Sequence, residues 1–333
     1  MFERNTHVAK PFLKWAGGKG KLLPQLEMAL PQILYDNEFT YIEPFVGGGA
    51  MLFFILQHFP HIIRVVINDI NPNLTATYQT IKEKPEELVS NLRTIEKHYN
   101  SLANQESQKA FFLEMRRHFN EGPLMQTEKS ALLLFLNRTC FNGLYRENAN
   151  GFFNVPFGKY ARPTICNENL ILADSELLNR YDVKITTGDY SQTKDEIADN
   201  ELTFFYFDPP YRPLNNTSCF NNYAKDGFGD QQQIELAQFC RTISQCANVL
   251  WMLSNSDCSA YNSTDSFFED IYDGYRIDRV WASRAINANP QKRGKLTELL
   301  ISNFNIQDKC NSSPRQYKPL SISQSEHAYQ RTV

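Results

Sequence analysis

The tetrapeptide Asp208-Pro209-Pro210-Tyr211 carries the residue types best suited to chemistry, and it directly follows the apolar, aromatic run 202–207. Such a run is typical of a buried strand, and the chain must turn after it because prolines cannot continue a central strand. In open α/β sheets, ligands bind at the carboxyl ends of the strands. A carboxylate and a prolyl carbonyl can hold an exocyclic NH2 group, and a tyrosine ring can stack on a flat ring. The tetrapeptide therefore predicts a binding site for a base that carries an amino group. The alternative is a turn that ends the strand and exposes Asp208.

A glycine-rich turn marks a second candidate site nearer the N-terminus. The strand predicted over 40–45 runs into the turn 46–49, and a helix over 51–58 and a strand over 62–67 follow before Asp69. Glycines let the backbone approach a ligand closely, and an acid after the second strand of such a unit commonly binds ribose hydroxyls. The glycine spacing is not Gly-x-Gly-x-x-Gly and no phosphate-loop motif is present, which disfavours a nicotinamide oxidoreductase.

Hydrophobic patterning predicts the elements that position these residues. Further strands are predicted over 183–187, 202–207, 249–254, 275–280 and 296–304. Between the early and the later strands, helices are predicted over 85–99, 108–119 and 129–137, followed by a loop-rich segment with a hairpin or loop tip. The predicted fold class is therefore α/β, with a mainly helical insertion between two parts of one sheet.

The composition is that of an ordinary globular protein, with 333 residues, 42% hydrophobic and 21% charged residues. The net charge of −3 argues weakly against a nucleic-acid partner, but phosphate contact requires only a local positive face. The seven cysteines show no C-x-x-C pair, so we expect free thiols and no structural metal. The sequence has neither a membrane-length apolar run nor a signal-peptide pattern, which predicts a cytoplasmic protein.

Several motifs in fixed order carry a family resemblance. The segments 14–19, 43–49 and 208–211 occur in that order, and the insertion contains the segments 136–146 and 153–160. Over roughly residues 10–304, the chain resembles the Dam-type DNA adenine-N6 methyltransferases of the alpha motif order, which carry an Asp-Pro-Pro-Tyr motif. The resemblance implies a Rossmann-like sheet that binds S-adenosylmethionine, with an inserted domain for target recognition.

The resemblance also implies domain limits and cofactor contacts. A discontinuous catalytic domain would comprise 8–72 and 166–305, and the recognition domain would comprise 73–165. The polar segment 306–333 is expected to be a disordered tail. The implied cofactor-binding residues are Trp15, Lys19, Phe45, Gly47, Gly49, Asp69, Asp189 and Asp208.

DNA is the partner that the resemblance implies, with the palindrome GATC as the expected site. Arg146 would bind a guanine, with a phosphate contact or a salt bridge as alternatives, and Leu144 would meet a thymine methyl. Relatives often carry Tyr at the position of Phe141, and some carry Cys at the position of Tyr145. The exact DNA sequence that is recognised therefore stays open. The implied DNA-binding residues are Lys14, Arg138, Phe141, Asn142, Leu144, Arg146, Asn148, Tyr160 and Arg284.

The expected reaction needs neither a metal nor a covalent cysteine, because Asp208, Pro209 and Tyr211 would position the target amine. The alternatives within the same chemistry are cytosine N4, RNA adenine or a protein glutamine as the methyl acceptor. A DNA-binding regulator without catalysis is a further alternative. We expect a monomer, since the two strands of a palindrome can be methylated one at a time.

Overall fold

The computed structural model describes residues 8–214, 228–282 and 296–305. In this part of the chain, seven strands form one sheet, in the order β3-β2-β1-β4-β5-β7-β6. The first five strands are parallel, and β7 runs antiparallel between β5 and β6. The strands are β1 (Phe39–Glu43), β2 (Ile62–Asp69), β3 (Lys184–Thr187), β4 (Thr203–Phe207), β5 (Val249–Ser256), β6 (Arg276–Ala282) and β7 (Leu296–Ser302).

Helices cover both faces of the sheet and fill the insertion after β2. They are α1 (Leu23–Ala29), α2 (Ile33–Asp36), α3 (Ala50–His58), α4 (Pro72–Glu83), α5 (Pro85–Ser101), α6 (Gln105–Glu121), α7 (Gln126–Thr139), α8 (Glu168–Arg180), α9 (Asp230–Ile243), α10 (Cys258–Tyr261) and α11 (Phe267–Ile271). Short 3-10 helices span Phe141–Gly143 and Tyr190–Glu196. No helix in the described ranges is long and apolar enough to cross a membrane.

The central strand β4 is buried along its whole length because both faces of the sheet are covered. Its alternate side chains enter two apolar clusters: Phe204 and Tyr206 belong to one, and Phe205 and Phe207 to the other. This explains why the run lacks polar alternation and reads as continuously apolar. The strand ends at Phe207, so the residue that follows it emerges at the carboxyl edge of the sheet.

The insertion between β2 and β3 comprises α4 to α8. Its buried residues Leu74, Tyr78, Phe112 and Phe135 belong to the same apolar cluster as the inner face of the sheet. The insertion therefore packs directly on the sheet, and the expected limit between residues 72 and 73 falls inside the first turn of α4. A separate recognition domain over 73–165 remains a prediction.

All of the strands predicted from the sequence are present, with ends that shift by one or two residues. The strand predicted over 40–45 begins at Phe39 and ends at Glu43, before Pro44. The expected loop tip is present as antiparallel bridges between Cys140 and Phe157 and between Glu147 and Phe153. The tail 306–333 and the DNA-contact loop expected around Arg284 lie outside the described residues.

Candidate active site

The carboxyl ends of β1, β2 and β4 meet at one edge of the sheet, where the predicted site residues gather. Asp208 follows β4 directly, and its Oδ1 lies 2.8 Å from Nζ of Lys19, which belongs to the loop before α1. Lys19 is only 3% exposed and also donates to the carbonyl of Gly17 at 3.0 Å. The ion pair thus fastens the N-terminal glycine segment to the end of the central strand.

Burial dominates the electrostatics of Asp208. Desolvation raises the pKa of its carboxyl, the nearby Lys19 ammonium lowers it, and the Glu298 carboxylate raises it. Lys19 therefore offsets the cost of keeping a negative charge in a water-poor site. A carboxylate held in this way remains a hydrogen-bond acceptor for a ligand donor.

Tyr211 is fixed at its hydroxyl end by Glu298, a β7 residue that was missing from the predicted site. The hydroxyl donates to Oε2 of Glu298 at 2.7 Å, and Nζ of Lys19 lies 4.3 Å from the centroid of the ring. Burial raises the pKa of Tyr211 well above its usual value, so the hydroxyl stays a donor. Lys19 also lies 4.0 Å from the same Glu298 oxygen, which joins the four groups in one cluster.

Two buried side-chain amides form hydrogen bonds with the backbone of the Asp-Pro-Pro-Tyr turn and of the residue after it. Gln233 of α9 donates to the carbonyl of Pro210 at 2.9 Å, and Oδ1 of Asn255 accepts from the Arg212 backbone N–H at 3.1 Å. The two amides also bond to each other, at 3.1 Å. No hydrogen bond from a described residue reaches the Pro209 carbonyl. Among the described residues, the Pro210 carbonyl thus has a hydrogen-bond donor and the Pro209 carbonyl has none.

The glycine turn after β1 is fitted to Asp69 at the end of β2. The backbone N–H groups of Gly47 and Asn71 each donate to Asp69 at 3.0 Å, one to each oxygen. Gly49 has φ +74, and a Cβ there would lie 2.3 Å from the Tyr78 hydroxyl. Burial raises the pKa of Asp69, and these backbone bonds counter the rise. Because a carboxylate has about four acceptor sites, Asp69 keeps capacity for a further donor.

Asn68 joins the loops at this edge, although sequence reasoning did not select it. Its side-chain amide donates to the carbonyls of Pro44 at 3.1 Å and Gly188 at 3.0 Å. Its Oδ1 accepts from the Thr186 hydroxyl at 3.0 Å. The segments after β1 and β3 are therefore held in place from the end of β2.

Aromatic rings flank the glycine turn on two sides. Trp15 stacks on Tyr145 with centroids 5.1 Å apart, and a Cβ at Gly47 would come within 2.9 Å of its ring. Phe45 packs against Tyr190 at 5.2 Å. The neighbouring Asp189 is exposed and accepts from the Ser191 backbone N–H at 2.9 Å, so it caps a 3-10 helix. The turn thus lies between two aromatic surfaces.

The residues expected to read DNA lie mainly at the tip after α7. Phe141 is 52% exposed and Leu144 is 41% exposed, which is unusual for large apolar side chains. Asn142 has φ +58 and donates its N–H to the Tyr160 hydroxyl at 3.1 Å. The Lys14 backbone exchanges two bonds of 2.9 Å with the Asn137 amide, which brings the N-terminal segment to this tip.

Three predicted DNA contacts have hydrogen bonds within the protein. Arg146 donates from Nε to Asn154 at 2.6 Å. Oδ1 of Asn148 accepts two backbone N–H groups of its own loop. Arg138 is half-buried and donates to the Phe12 carbonyl at 2.7 Å, and burial lowers its pKa. This geometry favours a bracing role for Arg138 and Asn148 over the direct DNA contact that the resemblance implies.

Glu43 is a further buried acid close to the site. It lies at the end of β1 and accepts a bond of 2.7 Å from the Tyr41 hydroxyl. Burial raises the pKa of Glu43 well above its usual range. The sequence signal for Glu43 and Glu298 is the same: a lone acid within an apolar strand, which is rarely buried without a function.

A mostly parallel α/β sheet, with a glycine turn after β1 and an Asp-Pro-Pro-Tyr turn after β4, is consistent with a methyltransferase fold. Residues 15–286 match the family described as D12 class N6 adenine-specific DNA methyltransferase, and the chain belongs to that family. The resemblance to Dam-type enzymes is thereby confirmed.

Curated relatives support the same assignment over most of the chain. The type II methyltransferase M.MjaIII of Methanocaldococcus jannaschii is 44% identical over 299 residues, which cover 89% of this chain and 99% of that relative. The type II methyltransferase M1.LlaDCHI of Lactococcus lactis is 34% identical, with 91% and 99% covered. The DNA adenine methylase of Haemophilus influenzae is 33% identical, with 87% and 92% covered.

Proposed function

We propose that the protein transfers a methyl group from S-adenosylmethionine to N6 of an adenine flipped out of duplex DNA, within the sequence GATC. The observation that carries the proposal is the arrangement at the end of β4. There the Asp208 carboxylate, the Pro209 carbonyl and the Tyr211 ring face the same edge of the sheet as the glycine turn. Two acceptors and a flat ring match an amine on a planar base.

The donor set at this edge fits S-adenosylmethionine. The carboxylates of Asp69 and Asp208 can accept from ribose hydroxyls and an amino group, and the Lys19 ammonium can pair with a carboxylate. Trp15 and Phe45 offer apolar faces, while the positive φ of Gly47 and Gly49 keeps side chains out of the turn. When bound, the cofactor supplies an electrophilic sulfonium methyl group. We place Asp189 beside the cofactor adenine through its neighbour Tyr190, which packs on Phe45.

The protein's own task is to position the amine and localise its lone pair. The exocyclic amine of adenine is a poor nucleophile because its lone pair is delocalised into the ring. Asp208 and the Pro209 carbonyl each accept one of its N–H groups, which favours tetrahedral nitrogen with the lone pair directed away from both acceptors. Tyr211 stacks on the base, which must leave the helical stack to be reached.

We propose that residues 73–165 read the DNA sequence. Arg146 binds O6 and N7 of a guanine, Leu144 meets a thymine methyl, and Lys14 contacts a guanine beside the target. Phe141 and Asn142 occupy the gap left by the flipped base. The exposure of Phe141 and Leu144 supports this assignment, as does the bond between Arg146 and Asn154, which orients the guanidinium.

Other residues of the proposed interface hold the loops or the backbone. Tyr160 supports Asn142 through its hydroxyl, while Arg138 and Asn148 brace the segments that carry the readers. Arg284 is assigned to a phosphate contact from its sequence context alone. In this proposal, duplex DNA is the methyl acceptor and one copy of the chain binds it.

The variant Asp208→Ala tests the proposed chemistry. It should lose at least about 100-fold in single-turnover methylation of a GATC duplex, because it removes one of the two amine acceptors. Asp199→Ala is the matched control, since Asp199 is exposed and precedes β4 at the opposite edge of the sheet. A folded Asp208→Ala protein with the rate of the control would exclude this role for Asp208.

A further inference from the structure

The cluster around Asp208 contains a carboxylate that the proposed chemistry does not use. Glu298 lies on β7, 87 residues after Tyr211, and is 7% exposed. Leu300 lies two residues further along β7, on the same face of the strand, and belongs to the apolar cluster under the site. A buried charge at such a position is costly unless its interactions are needed.

Glu298 acts on two groups of the site at once. Its Oε2 accepts the Tyr211 hydroxyl at 2.7 Å and lies 4.0 Å from Nζ of Lys19. The same ammonium lies 2.8 Å from Asp208. Lys19 is therefore shared unequally between two carboxylates, and the Tyr211 ring is held at its far end by one of them.

The other end of the tyrosine is also fixed. Gln233 holds the carbonyl of Pro210, and Asn255 holds the N–H of Arg212, so the backbone on both sides of Tyr211 is fastened. A ring anchored at its backbone and at its hydroxyl keeps one orientation before any base arrives. Preorganisation of this kind lowers the cost of binding and of reaching the transition state.

We propose that Glu298 is a positioning residue for methyl transfer: it presets the Tyr211 ring for stacking, and it restrains Lys19 from neutralising Asp208 completely. The inference rests on the proposed function. Without the Glu298 charge, Lys19 pairs more strongly with Asp208 and weakens this carboxylate as an acceptor of the target amine. Without the bond to the Tyr211 hydroxyl, the ring loses the restraint at its far end and holds the flipped base less firmly.

The electrostatic surroundings of Asp208 support this division of roles. Its pKa is raised by burial, lowered by Lys19 and raised by the Glu298 charge. The titratable groups that face it are Lys19 from the loop before α1, Tyr41 and Glu43 from β1, Tyr206 from β4, Tyr211 from the turn and Glu298 from β7. Among the acids of this set, Glu298 is the one that also contacts Tyr211.

Two conservative variants separate the two roles. Glu298→Gln keeps an oxygen that accepts the Tyr211 hydroxyl but removes the charge, whereas Tyr211→Phe keeps the ring but removes the bond. Single-turnover methylation of a GATC duplex is measured against pH at saturating cofactor. In parallel, the fluorescence of 2-aminopurine at the target position reports stacking of the flipped base in the complex without any transfer.

Glu298→Gln should shift the acidic limb of the rate profile to lower pH, because loss of a neighbouring negative charge lowers the pKa of Asp208. Its 2-aminopurine signal should stay at the wild-type level. Tyr211→Phe should leave that limb in place, lose about 10-fold in rate and give a brighter 2-aminopurine signal, because the base is less firmly stacked. Glu201→Gln, at the amino edge of the sheet, is the matched control and should behave as wild type.

A wild-type pH profile for Glu298→Gln would overturn the inference, as would a Tyr211→Phe protein with wild-type rate and fluorescence. Parallel losses in both variants and both readouts would assign Glu298 to folding alone and would overturn it equally. The proposed function fails in a different way: the wild-type protein would then methylate no duplex at all.

Discussion

Lys19 and Asp208 show why this site is built from charged groups despite its burial. Moving two charges out of water costs several kcal/mol, and their attraction only partly offsets that cost. The pair is therefore weak evidence for stability and better evidence for function. Its role is to keep an ionised acceptor in a site where burial alone would favour the neutral acid.

Arg146 is the residue on which the choice of DNA sequence should depend. Arg146→Ala should lose about 1–3 kcal/mol of discrimination at one G·C pair, since a bidentate contact would be removed. Methylation of GATC and of a duplex changed at that pair would be compared at equal salt. The matched control is Arg162→Ala, at an exposed position where a phosphate contact would weaken all duplexes alike. If Arg146→Ala also weakened both duplexes equally, Arg146 would be a phosphate contact.

Residue types and spacing suffice to select Asp208, Tyr211 and Asp69, because each lies in a recognisable turn after a strand, whereas Lys19 was selected through the family resemblance. The same reasoning does not select Asn68 or Gln233, and it marks Glu298 only as a lone acid within an apolar strand. Their partners are distant in sequence, and which residues meet depends on the strand order and on the side chains of the completed core.

At the scale of elements, helix α8 anchors the segment that leads to Lys19. Asp174 of α8 is fully buried, and its Oδ1 accepts from the Lys10 backbone N–H at 3.0 Å. Its Oδ2 has no hydrogen-bond partner among the described residues. Burial raises the pKa of Asp174 to about 8. Burial therefore penalises the ionised form of Asp174 more than the bond from the Lys10 N–H stabilises it.

Asp174 makes folding stability depend on pH in a defined direction. Its folded pKa lies above the unfolded value, so its contribution is fully present below about pH 4 and is lost as the pH rises to about 8. Asp174→Asn should remove this dependence on pH. For one carboxyl group, the dependence is at most about 1.4 kcal/mol in the free energy of unfolding per pH unit. Urea unfolding of both proteins at several pH values between about 5 and about 8 would measure how steeply the free energy of unfolding of each depends on pH. Equal slopes would show that Asp174 ionises normally in the folded protein.

The elements themselves differ in how well the sequence predicts them. The strands of the described sheet lie within one or two residues of their predicted bounds, and apolar runs mark β1, β4 and β5 most clearly. Helices α8 and α9 were not predicted, although their buried residues recur at helical spacing, as in Leu236, Cys240 and Ile243. In α9, this pattern is interrupted by the buried Gln233, whose position is explained only by its contact with the Asp-Pro-Pro-Tyr turn.

The fold of the described residues brings the two proposed sites close to each other. The insertion shares its apolar core with the sheet, and Asn137 of α7 bonds to the backbone at Lys14, five residues before Lys19. The proposed recognition tip and the proposed methyl-transfer site are thus connected through a short segment. A net charge of −3 is compatible with DNA binding on such a surface, because basic residues need only line the contact face.

Methylation of a duplex library with labelled S-adenosylmethionine tests the central claim most directly. Digestion with GATC-cutting endonucleases that differ in their sensitivity to adenine methylation would read out the modified sites. We expect label in DNA together with protection confined to GATC. Label without that protection would contradict the assigned sequence, and a failure to label any DNA would contradict the assignment of duplex adenine as the methyl acceptor.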